Sequence, residues 1–332
     1  MESKTPYFIM HKERLLYNLE FFKELERVLD INIYFCLKSF NKKEPLKLIA
    51  KYISGATISS KQELKLAKKV GFKDIFSYST AYKDNYFKEA DFVSFNSISQ
   101  YNKFYKDAPS VGIRVNPKIE FNTPKYCNYS DKNSFLGVDK ESIYSLKTIN
   151  GLHFHTMFRA TAEDLETLLN YIDNNFSNIL PNLKWLNLGG GYDFFNFNLI
   201  KAKKILKEFK IKYPNLKIIF EPGESLLDNL GEFVVSVIDI VNSYAILDTS
   251  IETHLLDIAI VNRDIKIKNK KTGDHTYTLV GNSGLRGDII GKYNFKKPLK
   301  IGDIIEFENM IAYTLVKNTN FLMTKSAKFY FN

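Results

Sequence analysis

Five short stretches of this chain carry residue types that could do chemistry together. In chain order they are Lys38, the segment Gly151-Leu-His-Phe-His-Thr156, the triplet Gly189-Gly-Gly191, Glu221 and Tyr313. An amine can form a Schiff base, an imidazole can stack on an aromatic ring, and glycines let backbone N–H groups approach a phosphate. A carboxylate can hold a ring nitrogen protonated. Together these are the groups that a pyridoxal phosphate site requires.

Taken alone, the lysine and the histidines also have ordinary structural explanations. Lys38 could be a lysine at a strand end with its amine in water, although its apolar neighbours lead us to expect a desolvated amine. His153 and His155 alternate with apolar residues and should face the same side of a strand. We expect the deeper His153 to be a satisfied core group and His155 to reach a cofactor.

The glycine triplet and Glu221 each follow an apolar run directly. The triplet lacks the spacing of a dinucleotide fingerprint, which argues against a nucleotide site of that type. We interpret Glu221 as a ligand for a ring nitrogen, Glu224 as a charged residue at a proline turn, and Gly223 between them as a further cofactor contact.

Short apolar runs alternate with amphipathic stretches along the first two thirds of the chain, which predicts βα units. The predicted strands are 33–37, 55–58, 75–78, 92–95, 110–115, 151–157, 185–188 and 216–220, and helical periodicity is clearest at 44–53, 61–70, 162–176 and 199–213. Eight strands, each followed by a helix, predict a (β/α)8 barrel with the reactive groups at its carboxyl-terminal mouth.

After residue 225 the helical patterns stop, and strand patterns follow at 231–247, 276–280, 304–307 and 310–316. We interpret this region as a second, all-β domain that an N-terminal strand at 7–10 joins. The predicted domains are therefore 11–225 for the barrel, and 1–10 plus 226–332 for a β domain that completes the active site.

Composition argues against several other classes of protein. The net charge of +10 comes mainly from lysines scattered over helical stretches, so we expect no nucleic-acid partner. The apolar stretches are shorter than the roughly 20 residues of a membrane span, and no signal peptide is recognisable. Cys36 and Cys127 form neither a disulfide framework nor a metal-ligand pattern, so we expect a cytoplasmic protein without a metal site.

Taken in order, the motifs resemble those of the fold-type III pyridoxal-phosphate decarboxylases, which pair an alanine-racemase-like barrel with a β domain. Within that family the likeness is strongest to decarboxylases of carboxynorspermidine. It covers nearly the whole chain and rests on these segments: Leu37-Lys38-Ser-Phe40, Thr57-Ile-Ser-Ser60, Tyr78-Ser-Thr-Ala-Tyr-Lys83, Phe95-Asn-Ser97, Gly151-Leu-His-Phe-His-Thr156, Trp185-Leu-Asn-Leu-Gly-Gly-Gly191, Glu221-Pro-Gly-Glu224, Ile246-Leu-Asp248, Gly287-Asp288 and Tyr313-Thr-Leu-Val-Lys317.

The resemblance implies a role for each group. Lys38 would form the Schiff base with pyridoxal 5′-phosphate, His155 would stack on its ring, and Glu221 would bind its pyridine nitrogen. The phosphate would be held by Gly189, Gly190, Gly191 and Tyr313. The resemblance also implies a head-to-tail homodimer in which each subunit's β domain completes the other's site.

Four departures from the family pattern bear on the substrate. Gly284 occupies the place of a cysteine that protonates the carbanion after loss of CO2. Phe158-Arg159 replaces a Cys-Glu pair, Tyr192-Asp193 replaces two histidines, and Phe135 stands where an arginine is expected. The proton donor could be Lys38, a bound water or Cys36, which lies deeper in the barrel.

Arginine is scarce in this chain, so Arg159 and Arg286 near one mouth suggest recognition of an anion. We therefore predict a decarboxylase whose small-molecule or peptide-nucleotide substrate has an amino-acid head and an acidic tail, as in microcin C-type maturation. The candidate substrate-binding residues are Arg159, Asp193, Asp248, His254, Asp257 and Arg286. The alternatives are a carboxynorspermidine or carboxyspermidine decarboxylase of polyamine synthesis, a catalytically impaired cofactor-binding paralogue, and a racemase.

Overall fold

In a computed structural model of the chain, the structure describes residues 5–268, 273–323 and 326–332. Its internal contacts divide the chain into two compact units. One comprises residues 17–226, and the other comprises the N-terminal residues up to 16 together with 227–332.

The first unit is a closed barrel of eight parallel strands. Strand β1 (Tyr7–Met10) precedes it and belongs to the second unit. The barrel strands are β2 (Asn32–Cys36), β3 (Gly55–Ile58), β4 (Asp74–Tyr78), β5 (Phe92–Phe95), β6 (Val111–Arg114), β7 (Gly151–His153), β8 (Trp185–Asn187) and β9 (Lys217–Phe220). Neighbours in the chain pair with each other, and β2 pairs with β9 to close the ring. The predicted barrel is confirmed.

Helices cover most, but not all, of the connections between the barrel strands. They are α1 (Lys12–Leu29), α2 (Lys43–Tyr52), α3 (Lys61–Val70), α4 (Ile98–Phe104), α5 (Ala162–Phe176) and α6 (Leu199–Lys212). The expectation of a helix after every strand is wrong for β4, β6 and β9, which are followed by 3-10 turns and loops. The connection after β6 is rich in Asn, Asp, Ser and Pro, residues that favour turns over a helical repeat.

An indole ring fills the barrel interior where β8 begins. Trp185 is fully buried and packs over Gly112 of β6 and Gly151 of β7. A Cβ built on Gly112 would lie 2.3 Å from the indole, and one on Gly151 would lie 2.0 Å from it. The two glycines therefore make room for the largest side chain of the core.

The second unit is built on one sheet. Its further strands are β10 (Gly231–Val241), β11 (Tyr244–Leu247), β12 (His275–Val280), β13 (Ile289–Phe295), β14 (Ile304–Phe307) and β15 (Lys328–Phe331). Among the described residues the strand order is β13-β12-β11-β10-β1-β15, with β14 paired to β10. The N-terminal strand β1 lies in this sheet, where the sequence had placed it, and it pairs antiparallel to β10 and parallel to β15.

Two expectations for this unit are wrong. Helices do not stop after residue 225, since α7 (Ile251–His254) and α8 (Leu256–Val261) follow β11. The predicted strand at 310–316 is a turn, because Tyr313 has a left-handed φ of +57° and its carbonyl accepts the N–H groups of Val316 and Lys317. Among the described helices, none is long and apolar enough to span a membrane.

We expect Gly151→Ala to lower the free energy of unfolding by roughly 1–3 kcal/mol, because its methyl group would overlap the indole of Trp185. Gly287→Ala is the matched control, since a Cβ there meets no atom within 4 Å. Urea denaturation of both variants measures the difference. Equal stability of the two variants would contradict the packing argument.

Candidate active site

The end of β2 places Lys38 at the carboxyl-terminal mouth of the barrel. The chain leaves the strand at Cys36 and makes a 3-10 turn over Leu37–Ser39, where the Ser39 hydroxyl donates a 2.7 Å hydrogen bond to the Cys36 carbonyl. Leu37 and Ser39 are buried, whereas Lys38 is exposed. The expected desolvation of the amine is therefore wrong. The apolar neighbours turn inward, and the amine stays accessible to a ligand.

Glu221 follows β9 directly and is only 6% exposed. Its Oε1 accepts hydrogen bonds from the Thr57 hydroxyl at 2.8 Å and from the Asn187 side-chain amide at 2.7 Å. Its Oε2 has no hydrogen-bond donor among the described residues and lies 3.7 Å from Nε2 of His153. A buried carboxylate with one open oxygen is suited to receive a ligand nitrogen that bears a proton.

The surroundings of Glu221 keep it ionised. Burial acts to raise the pKa of Glu221, but His153 and His155, which attract the carboxylate when their rings are protonated in acid, and the hydrogen bond from Asn187 outweigh burial and hold the pKa at about 2. Burial lowers the pKa of His153, against the opposing effect of the Glu221 carboxylate. Near neutral pH the pair is therefore a carboxylate beside a neutral imidazole.

His153 is not the satisfied core group that the sequence suggested. It is 1% exposed, and its Nδ1 lies 3.2 Å from the Ser94 hydroxyl. Its Nε2 is buried and has no hydrogen-bond partner among the described residues, although it faces Glu221. The expectation that the hydrogen-bonding groups of His153 are satisfied is wrong for Nε2. His153 is therefore part of the polar site rather than of the core.

His155 lies two residues beyond β7, with its ring centroid 6.4 Å from that of His153. Its Nδ1 accepts the N–H of Gly190 at 2.9 Å, so a neutral ring carries its proton on Nε2. Burial lowers the pKa of His155 well below its usual range, and the charges of Lys38 and Arg114 lower it further. The imidazole is therefore neutral and can stack on an aromatic ligand.

The glycine triplet packs against the backbone of neighbouring strand ends. Gly189 and Gly191 have left-handed φ angles of +72° and +84°. A Cβ on any of the three glycines would lie 2.0–2.5 Å from a main-chain carbonyl oxygen. Side chains are therefore excluded from this loop whether or not a phosphate binds there.

Two of the three glycines do not offer their N–H groups to a phosphate. The N–H of Gly189 donates to Oδ1 of Asn187 at 2.8 Å, and that of Gly190 donates to His155. These two N–H groups orient two side chains of the site, and the expectation that the triplet holds a phosphate stays a prediction. Within the described residues, the N–H of Gly191 has no acceptor and can meet a phosphate.

The turn after Glu221 packs directly on the turn that carries Lys38. The N–H of Cys36 donates to the carbonyl of Pro222 at 3.1 Å. A Cβ on Gly223 would lie 3.1 Å from the Ser39 side chain and 3.3 Å from Cβ of Cys36. Gly223 therefore acts through close packing, which fixes the amine relative to the carboxylate.

These groups fit pyridoxal 5′-phosphate by their chemistry. Lys38 offers an accessible amine for its aldehyde, and the neutral ring of His155 offers a face for its pyridine. The open Oε2 of Glu221 suits the ring nitrogen, and the N–H of Gly191 suits the phosphate.

Sequence reasoning missed four residues of the site. Thr57 and Asn187 bind Glu221, Arg114 donates to the carbonyl of His155 at 2.8 Å, and Tyr129 has its ring centroid 5.1 Å from that of His155. Thr57, Arg114 and Asn187 lie at or near the carboxyl ends of barrel strands. Polar residues at such positions were the available signal.

Arg159 and Asp193, the two candidate substrate-binding residues of the barrel, lie on segments that contact each other. Arg159 is exposed and has a left-handed φ of +50°. Asp193 donates its N–H to the carbonyl of Ala160 at 3.3 Å, and its carboxylate accepts the amide of Asn196. One cationic and one anionic side chain therefore lie on adjoining stretches of chain.

In the second unit, Lys317 brings Asp257 and Tyr313 together. It forms an ion pair with the Asp257 carboxylate, and its ammonium lies 5.0 Å from the centroid of the Tyr313 ring. Asp257 therefore already has a cationic partner within its own unit.

Asp248 and His254, two further candidates of this unit, have partners of their own within it. Asp248 accepts the N–H of Ser236 at 2.8 Å, and His254 lies 3.0 Å from the Thr249 hydroxyl. Burial lowers the pKa of His254 to about 4, so the ring is neutral near pH 7. Asp248 and His254 thus serve internal contacts.

The loop where the family has its acidic cysteine is open to solvent. Arg286 is exposed, and Gly284 has a left-handed φ of +76°. A Cβ on Gly284 would meet no atom within 4 Å, so space alone does not require glycine there.

A barrel with a lysine, a buried glutamate and a neutral histidine at one mouth, joined in the chain to a sheet unit, defines the class of barrel pyridoxal-phosphate enzymes. A sequence model described as pyridoxal-dependent decarboxylase, pyridoxal binding domain, matches residues 18–228. The chain belongs to this family. It is a pyridoxal-phosphate-dependent decarboxylase.

Relatives match along almost the whole chain. A carboxynorspermidine/carboxyspermidine decarboxylase of Campylobacter jejuni is 33% identical, covering 96% of this chain and 90% of its own length. A carboxyaminopropylagmatine decarboxylase of Synechocystis is 29% identical over 96% of this chain and 87% of its own. The crystal structure of the Campylobacter jejuni carboxynorspermidine decarboxylase with norspermidine superposes with a TM-score of 0.89 at 31% identity, covering 99% and 94% of the two chains.

The pKa of Glu221 predicts an acid-dependent loss of stability. A carboxylate with a folded-state pKa of about 2 and an unfolded value of roughly 4.3 stabilises the fold above the unfolded value. This contribution, about 3 kcal/mol, is lost as the pH falls from roughly 4.3 towards 2. We expect Glu221→Gln to lack it, so the stability gap to wild type should narrow over that window.

Urea unfolding of the cofactor-free protein at a series of pH values measures this gap. Glu24→Gln is the control, because Glu24 is exposed and pairs with Arg27 on the surface of α1. A gap for Glu221→Gln that stays constant from about pH 5 to about pH 2.5 would show that the carboxylate is not held ionised by its neighbours.

Proposed function

We propose that this chain removes the α-carboxylate of a carboxylated polyamine, such as carboxynorspermidine or carboxyspermidine, and releases the polyamine and CO2. The observation that carries the proposal is the pairing of an accessible Lys38 with a buried, ionised Glu221 at one barrel mouth. Full-length relatives whose names specify carboxylated polyamines support this substrate class.

The reaction breaks the bond between the α-carbon and the carboxylate and returns one proton to that carbon. When bound, pyridoxal phosphate supplies an electron-withdrawing ring that takes up the electron pair left by CO2. Glu221 would keep a proton at the ring nitrogen, because its open Oε2 is a carboxylate oxygen with a low pKa. His155 would lie against one face of the ring.

The chain's own groups narrow the choice of proton donor. Cys36 is buried, and burial raises the pKa of its thiol to about 11, which keeps it protonated but out of contact with solvent. Lys38 is exposed at the mouth. With Gly284 in place of the family's cysteine, Lys38 or a bound water is the better candidate for returning the proton.

An acidic-tailed substrate is the second candidate. It is favoured by Arg159, which is exposed at the end of the histidine segment and has no carboxylate partner among the described residues. The neighbouring Asp193 favours a cationic tail instead. None of the relatives described above is named for a nucleotide-linked substrate, so the polyamine alternative stands first and the microcin-like role has no support.

We also infer a homodimer, as the family resemblance implies. The sheet unit exposes apolar side chains, among them Tyr244, Ile289 and Ile304, which are 47%, 51% and 57% exposed in the single chain. Sedimentation of the cofactor-loaded protein tests this inference, and a monomer at micromolar concentration would contradict it.

We expect the purified protein to release CO2 from carboxynorspermidine or carboxyspermidine roughly tenfold or more faster than from diaminopimelate or an acidic amino acid, in terms of kcat/KM. Each substrate is assayed with the wild type, Lys38→Ala and Arg159→Gln. Lys38→Ala should abolish turnover and remove the visible absorption band of the lysine-linked cofactor.

Each alternative gives a different result. Preference for an acidic tail, lost in Arg159→Gln, would favour the second candidate. Inversion of the amino acid without CO2 would identify a racemase. A cofactor band without turnover of any substrate would identify a catalytically impaired paralogue.

A further inference from the structure

Arg114 is a buried cation that no carboxylate neutralises within the described part of the chain. It is 3% exposed and closes strand β6. Its Nη1 donates to the hydroxyl of Tyr78 at 2.5 Å, and its Nη2 donates to the carbonyl of His155 at 2.8 Å. Burying a guanidinium against neutral acceptors is costly. Arg114 therefore calls for an explanation other than stability.

The partner of Nη2 points to that explanation. Arg114 donates a hydrogen bond to the main-chain carbonyl of His155. The side chain of the same residue is held separately, because its Nδ1 accepts the N–H of Gly190. A proton on Nδ1 would place two donors face to face and break this hydrogen bond. The guanidinium, on the main-chain side, opposes the same protonation by charge. Two independent contacts thus favour one state of the ring.

We propose that Arg114 is a positioning residue that fixes His155 and keeps its imidazole as the neutral, Nε2-protonated ring that stacks on the cofactor. The proposal concerns the cofactor site and does not depend on which substrate is decarboxylated.

Arg114 is itself held in place by a chain of hydrogen bonds. The hydroxyl of Tyr78 donates to Oδ1 of Asn96 at 3.0 Å, and the guanidinium lies 5.0 Å from the centroid of the Tyr78 ring. The amide of Asn96 donates to the carbonyl of Phe135 at 3.0 Å, and its Oδ1 accepts the N–H of Gly137 at 2.8 Å. The guanidinium is therefore anchored to the end of the loop that follows β6.

Arg114 carries a positive charge near His155 that does not depend on the state of Lys38. The groups that act on the imidazole are Lys38 from the turn after β2, Arg114 from β6, His153 from β7 and Glu221 after β9, with the Tyr129 ring packed beside it. Covalent attachment of the cofactor to Lys38 changes the charge at that amine. Burial is the main cause of the low pKa of His155, His153 is neutral and Glu221 opposes the effect, so Arg114 is the fixed charge that adds to burial in keeping the ring neutral.

The test is a pH titration of histidine ring nitrogens by NMR in the cofactor-free protein, with His155→Gln to assign the signal among the five histidines. The wild type should show a neutral Nε2–H ring at neutral pH and a titration midpoint well below that of an exposed histidine. Arg114→Met, which removes the charge at similar volume, should raise the midpoint of His155 by about one pH unit. Arg114→Lys keeps the charge and should leave the midpoint close to that of the wild type.

Cofactor affinity separates geometry from charge. Arg114→Lys loses the forked pair of donors, so it should bind pyridoxal phosphate roughly tenfold more weakly despite an unchanged midpoint. If Arg114→Met does not fold, Arg114→Gln gives the same comparison, because its amide can still donate to the His155 carbonyl.

An unchanged tautomer and midpoint in the variants without the charge would overturn the proposal, as would equal shifts in Arg114→Lys and Arg114→Met. Failure of every polyamine substrate would overturn the proposed function but would leave this titration unaffected.

Discussion

The ionised carboxylate of Glu221, buried inside the barrel, is the interaction on which the rest of the site depends. A charge in that position needs donors and a favourable potential, and they come from Thr57, His153 and Asn187. These residues belong to three different strands, β3, β7 and β8, while Glu221 follows β9. One charge thus ties together half of the strand ends at the mouth, and the open oxygen is what remains for a ligand.

The glycine loop shows how one sequence feature can serve two purposes. Its residues lack side chains because neighbouring main-chain carbonyls occupy the space that a Cβ would need. Once the loop is that close, its N–H groups reach Asn187 and His155 and orient them. We therefore expect fewer donors of this loop to be available to a phosphate than its composition suggests. The close packing of the loop thus determines which of its N–H groups a ligand can reach.

The departures from the family pattern fall where the substrate tail and the proton donor would act, not where the ring is held. Lys38, His155 and Glu221 are the groups that we propose to hold the pyridine ring, through which the cofactor withdraws electrons. Arg159 and Asp193, on adjoining segments, offer charges of both signs. We therefore expect the reaction to depend on the groups proposed to hold the ring, and the choice of substrate to depend on charges outside them.

Local patterns in the chain were enough to predict the barrel, the N-terminal strand of the sheet and the groups suited to the cofactor. Strand periodicity and polar residues at strand ends are properties of neighbouring residues, so they can be read without coordinates. The turn at 310–316 was missed because its apolar content matches a strand, whereas the left-handed φ of Tyr313 depends on its surroundings.

Folding decides which of the candidate cofactor-binding groups have hydrogen-bond partners, because those partners come from strands far apart in sequence. Folding brings Arg114 to the carbonyl of His155 and the Thr57 hydroxyl to Glu221. It also leaves Lys38 open to solvent between two buried neighbours. The sequence thus determines which chemical groups are available, and only the packed barrel determines their charge states and contacts, since both depend on distances that no local pattern records.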